Sequence, residues 1–140
     1  MAAATFPETN GCTDTLERCM SDNKKTVERY VDGFNKTDHA QILSCLTDDI
    51  QWTNFGWYRI RGKEAYDQHI EGPEFTGSPK LVITRMVEED DVVMAEMTVE
   101  VRRRSGELMR AAMGEVFVMR DSKIMERRGY VIELHHNDYM

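Results

Sequence analysis

The chain has 140 residues, a formal charge of −7, and hydrophobic and charged fractions of 41% and 31%. That is enough for one domain with a core of its own. The acidic balance argues against nucleic acid, because phosphate binding needs a basic footprint. No run approaches the roughly 20 apolar residues of a membrane-spanning helix.

From the N-terminus, Met1 to Gly11 is small, polar and turn-prone, and Met1 to Asn10 lacks the basic and apolar regions of a secretion leader. The cysteines, Cys12, Cys19 and Cys45, are odd in number and irregular in spacing. Both features point to a reducing compartment, with the cytoplasm as the expected location. Asp14 with Glu17 resembles a capping box and predicts a short helix over Thr15 to Met20.

The first strong element is a helix over about Asn23 to Asn35, with Val27, Tyr30, Val31 and Phe34 on one face. Asp38 with Gln41 starts a second helix, lined by Ile42, Leu43 and Leu46. Ile50 to Asn54 and Tyr58 to Arg61 read as short strands. A helix over Lys63 to Ile70 then carries Ala65, Tyr66, His69 and Ile70 on its apolar stripe, and Gly72-Pro73 stops it. The rest is β-rich: Leu81 to Glu88, Val92 to Arg102, Leu108 to Met119 and Ile124 to Ile132, separated by short polar turns that make antiparallel neighbours. Helices first and a meander afterwards is an α+β pattern, with a curved antiparallel sheet wrapped around the helices. The expected organisation is an arm and short helix over 1–22, the domain over 23–134 and a tail over 135–140.

Tyr30 to Asn35, Asp38, Leu46 to Asp49, Trp52, Gly62 with Ala65, and Lys123-Ile124 together resemble the nuclear-transport-factor-2-like superfamily. The SnoaL-like and ketosteroid-isomerase-like branches are the most similar, and the resemblance runs from about Thr26 to Ile132. It implies a helix-lined cone with a pocket between helices and concave sheet, and a homodimer through the convex face. Residue by residue, known chemistries of the superfamily do not carry over. The ketosteroid isomerase tyrosine falls on Tyr30, but its base falls on Asn54 and its second oxyanion donor on Gly114. An amide cannot accept a proton as a base. Of the groups that limonene epoxide hydrolase uses, only the asparagine is kept, at Asn54. The others fall on Trp52, Gly129, Glu96 and Thr98. The acids that SnoaL-like cyclases often carry in the last strand fall in Gly129 to Ile132 and are absent.

On the alignment that the resemblance suggests, Val92, Met94, Glu96, Thr98, Glu100 and Arg102 face the pocket. Glu96 then becomes the proton-transfer group, with Tyr30 and Asn54 as hydrogen-bond donors. Phe34, Trp52, Trp57, His69, Thr98, Glu100, Gly114, Val116 and Gly129 line the pocket. The alternative turns the apolar face of that strand, Val93 to Val101, inward and leaves Glu96 in water, and a slip of one residue separates the two. Arg127 and Arg128 read either as surface charges or as a bidentate grip on a ligand carboxylate. His39 reads as exposed. His135, His136 and Asp138 lie in a tail and do not make a metal site. The glycines are scattered singly, so no nucleotide cofactor is implied, and no cofactor is expected. Ten methionines, most of them in the meander, suit a bulky hydrophobic ligand. Two functions remain open: binding of a small hydrophobic molecule, with or without cofactor-free isomerase, lyase or hydrolase chemistry, or a non-catalytic module with a filled cone.

Overall fold

The computed structural model describes residues 20–135. The helix expected over Thr15 to Met20, apart from Met20 itself, and His136 and Asp138 lie outside the described residues. Helices α1 (Asp22–Lys36), α2 (His39–Ser44) and α3 (Lys63–Ile70) are interspersed with β1 (Leu46–Asn54) and β2 (Tyr58–Arg61). Strands β3 (Phe75–Glu89), β4 (Val92–Arg103), β5 (Leu108–Arg120) and β6 (Lys123–Glu133) complete the chain.

Helix α1 starts where the Ser21 hydroxyl accepts the Lys24 N–H, and ends at Thr37 in the left-handed region. Asp38 caps α2 by accepting the Gln41 N–H at 3.0 Å. Gln41 does not close the box. Its side chain reaches back to α1, to the Arg29 carbonyl and the Asp32 carboxylate. The two helices pack closely because Gly33 has no side chain: a Cβ there would lie 2.8 Å from Ile42 Cγ1.

The strands form one unclosed six-stranded sheet in the order β2-β1-β6-β5-β4-β3. The meander is antiparallel as expected, but β1 joins β6 in parallel, so the sheet is mixed. Strand β3 begins six residues before the expected Leu81. Its irregular register between Thr76 and Lys80 lets Gly77 and Pro79 sit in a strand.

The inner face carries the core. Val27, Tyr30, Val31 and Phe34 of α1 are buried with Val93, Ala95, Met97, Val99 and Val101 of β4 and with Met109, Ala111, Met113, Phe117 and Met119 of β5. The register suggested by the family resemblance is therefore corrected: Glu96 and Glu100 are exposed on the outer face. Strong alternation of valine and methionine with charged residues decides this, since a period-2 strand turns its apolar set to the core.

Candidate functional site

Three strands set the site. Asn54 of β1, Gly129 of β6 and Glu115 of β5 form one row across the sheet, and Trp52, Arg127 and Phe117 form the next. All six are buried. Arg127 lies at the centre. Its Nε donates to Glu115 Oε1 at 2.6 Å, and its Nη2 is 2.5 Å from the same oxygen. Its Nη1 donates to the hydroxyls of Tyr30 at 2.6 Å and Tyr66 at 3.0 Å, brought in by α1 and α3. The two phenols also hydrogen-bond each other. The guanidinium lies 4.2 Å from the centroid of the Trp52 ring, a cation–π contact out of water.

Burial pushes both phenols above their ordinary range, although the Arg127 charge pulls the other way, so they stay neutral. Burial also raises the Glu115 carboxyl, against the pull of Arg127. Arg127 remains cationic: burial opposes its charge, but Glu115 and the two phenols outweigh it. Glu115 Oε2, Asn54 Oδ1 and Trp52 Nε1 are buried and find no protein hydrogen-bond partner.

Between this cluster and solvent lies a cavity of about 480 Å³. Its walls are apolar, with Phe34, Leu81, Val99, Val101, Met109 and Met113 among them. Its polar side chains include Asn54, Tyr58, His69 and Arg127, with Arg103 and Glu133 paired at 2.8 Å elsewhere in the lining. Trp57 also lines it and is 53% exposed, which places it at the mouth. Burial raises the Tyr58 phenol, against the Arg127 charge and a hydrogen bond with Asn54. The His69 Nδ1 bonds the Ala65 carbonyl one turn earlier.

Of the residues singled out from sequence, Phe34, Asn54, Trp52, Trp57 and His69 line this cavity. Tyr30 is fully buried behind it and bonded to Arg127 and Tyr66. Gly129 faces inward, beside Asn54 and Glu115. Glu96, Thr98, Glu100, Gly114 and Val116 belong to the outward-facing set of β4 and β5 and are removed from the candidate site. Glu96 accepts the Thr84 hydroxyl at 2.8 Å there. Arg127, allowed above as a surface charge or a carboxylate grip, is buried and already grips a carboxylate of this chain.

Glu115 was missed. The signal was present: along β5, Met109, Ala111, Met113, Phe117 and Met119 share a face with it. A lone carboxylate on an otherwise apolar stripe needs a buried cation, and Arg127 on the adjacent strand supplies one. Tyr66 was assigned to the apolar stripe of α3, but its spacing gave no sign that its hydroxyl meets that of Tyr30.

The model of the SnoaL-like domain matches residues 27–127. The chain belongs to the SnoaL-like domain family. Solved structures share its nuclear-transport-factor-2-like fold. An LEH-like epoxide hydrolase from M. tuberculosis is 20% identical, with a TM-score of 0.70 over 79% of this chain and 83% of that one. TerC, co-crystallised with polyporic acid, is 22% identical, with a TM-score of 0.71 over 79% and 91%. A putative SnoaL-like polyketide cyclase from Jannaschia sp. CCS1 is 17% identical, with a TM-score of 0.67 over 79% and 85%. No curated protein matches the SnoaL-like chain. Among its described residues no helix is long and apolar enough to cross a membrane.

Proposed function

We propose that this SnoaL-like domain binds one small, predominantly apolar molecule in its cone and acts on the molecule's polar end with its own side chains. The supporting observation is the cavity itself: apolar walls converge on Asn54, Tyr58 and Arg127, with unpartnered polar atoms on Trp52 and Asn54. Few convergent polar groups in a largely apolar pocket of this size are the usual make-up of a small-molecule site. TerC, with its bound polyporic acid, gives a precedent within the fold. Isomerisation, elimination or hydrolysis without a cofactor fits a site whose ionisable groups include the Glu115 carboxyl, the Arg127 guanidinium, the His69 imidazole and phenols.

A second reading, binding without turnover, is favoured by the pairing of Arg127 with Glu115, which leaves no net charge at the cavity floor. Thermal-shift screening of hydrophobic ketones, quinones and epoxides, with recovery of each compound, separates the two. Binders returned chemically altered support catalysis, and binders returned unchanged support the second reading. No stabilisation by any compound, together with side chains filling the cavity in a crystal structure, would overturn both.

We also infer that a second copy covers the outer face. Val82, Met94, Tyr130 and Ile132 are each at least 49% exposed there, interspersed with charges of both signs that can pair across a self-complementary twofold interface. Sedimentation at micromolar concentration is expected to give twice the chain mass, and Ile132→Asp to halve it. A wild-type protein of single-chain mass would refute this interface.

A further inference from the structure

The polar side chains along the cavity differ in what they have left to offer a ligand. Arg103 and Glu133 are paired with each other. Arg127 is spent on Glu115 and the two phenols. His69, by contrast, keeps one ring nitrogen unused. It stands half-buried in the last turn of α3, with its Nδ1 3.1 Å from the Ala65 carbonyl oxygen. A carbonyl oxygen only accepts, so Nδ1 carries the hydrogen, and the neutral ring has its lone pair on Nε2. Among the described residues Nε2 meets no hydrogen-bond partner. Unlike the unpartnered atoms of Trp52 and Asn54 it is not sealed from water, and His69 lines the cavity. Tyr58 stands beside it, with ring centroids 5.3 Å apart and no hydrogen bond between the two side chains. Burial raises the Tyr58 phenol, so it keeps its hydrogen, while the hydrogen bond with Asn54 favours the phenolate, which makes the amide the donor. The Tyr58 O–H is therefore still available to donate. Trp52 packs edge-on against both rings, 5.2 Å from Tyr58 and 6.5 Å from His69, and restricts their movement.

We infer that His69 Nε2 and the Tyr58 O–H form a subsite for one hydroxyl group of the ligand, which donates to the imidazole and accepts from the phenol. The subsite rests on the ligand-binding reading above and narrows the ligand to a hydroxylated hydrophobic compound, an alcohol or a phenol. A carbonyl or ether oxygen can accept from Tyr58 but has no hydrogen for Nε2, whereas a hydroxyl carries both a donor and acceptor lone pairs. In the free protein water meets the two groups, and the ligand hydroxyl replaces it. The rest of the ligand then lies along the apolar wall that Phe34, Leu81 and Met113 help to form. A site built to satisfy a hydroxyl discriminates against its absence, because displacing the water without replacing its hydrogen bonds leaves Nε2 unpaired.

Two measurements on the full chain test the subsite. The first needs no ligand: long-range proton–nitrogen NMR spectra of the neutral imidazole should show the His69 hydrogen on Nδ1 and a bare Nε2. A hydrogen on Nε2 would overturn the proposal. In the second, 2-naphthol and 2-methoxynaphthalene are titrated calorimetrically. The naphthol is expected to bind about fivefold more tightly, the value of one hydrogen bond. His69→Phe, checked for folding by circular dichroism, should erase that preference while still binding the ether. Tyr58→Phe should weaken both probes, since each accepts from the phenol. Equal affinity of the two probes for the wild type, or a preference that survives in His69→Phe, would overturn the subsite and leave the ligand-binding reading intact. Failure of both probes to bind the wild type would count against the cone as a ligand site and overturn the subsite with it.

Discussion

Two basic side chains tie elements together through oxygen partners, Arg127 inside the cone and His39 on its surface. Arg127 joins β6 to β5 through Glu115, and to α1 and α3 through Tyr30 and Tyr66. His39 opens α2 and meets Asp67 at 2.5 Å and Glu71 at 2.7 Å, both in or just past α3. The geometry is similar and the surroundings are not. Arg127 and Glu115 are almost wholly buried, whereas the side chains of His39, Asp67 and Glu71 are between a third and a half exposed. Water screens the second cluster and not the first. Losing a partner is therefore expected to cost little at the surface and much inside, where the remaining charge has nothing to replace it.

The largest expected effect breaks the inner cluster. Arg127→Met leaves Glu115 buried and unpaired, and chemical denaturation should show a loss of about 3–5 kcal/mol. A double variant with Glu115→Leu should recover much of it. A loss below about 1 kcal/mol in the single variant would mean that Arg127 is hydrated and the comparison fails.

A sharper contrast is in pH dependence. Burial raises the Glu115 carboxyl, so its folded pKa exceeds its unfolded one. The folded protein then holds the extra proton, and this contribution is complete below the ordinary carboxylate range, near 4.3, and fades as pH rises through the raised value. Glu115→Gln should flatten that slope in a series of thermal melts. Hydrogen bonds to Asp67 and Glu71 raise His39 despite some burial. Its contribution is complete below the ordinary histidine value, near 6.5, and is lost at higher pH. His39→Gln should remove this second, smaller slope and cost no more than about 1 kcal/mol at pH 6. Both slopes have the same sign, so the pH windows distinguish the two clusters. The smallest expected effect is at Glu96. Because it points away from the cone, Glu96→Gln should leave the affinity of any cone ligand unchanged. A tenfold loss of affinity would restore the inward register.

Several elements were legible because local rules and tertiary structure agreed. The apolar stripe of α1, the boundaries of β2 and α3, and the turns of the meander follow from spacing and from residues such as Gly72 and Pro73. Strand β1 was read four residues short because Asp48 and Asp49 interrupt its pattern, and they are exposed at its N-terminal end. The candidate site was half legible. Phe34 and His69 could be placed along the cone because they lie on helices with a clear apolar stripe, whereas Trp52 and Asn54 are on a strand end buried on both faces and Trp57 is in the turn after it. The choice of face for β4 could not be made by alignment, because an error of one residue exchanges Glu96 for Met97 without disturbing the strand.

By itself the sequence determined that this chain makes helices and then a long meander, since the 3.6 and 2.0 periods are written in neighbouring residues. It also determined the apolar surface that had to be covered. Only the tertiary structure decided that β1 joins β6 in parallel, which places Asn54 beside Gly129 and Trp52 beside Arg127. It likewise decided that Tyr30, Tyr66, Glu115 and Arg127, spread over almost a hundred residues, would meet at one point. No local period carries that information, because partners for a buried charge are chosen by sheet order and helix docking, and these settle only when the whole chain is packed.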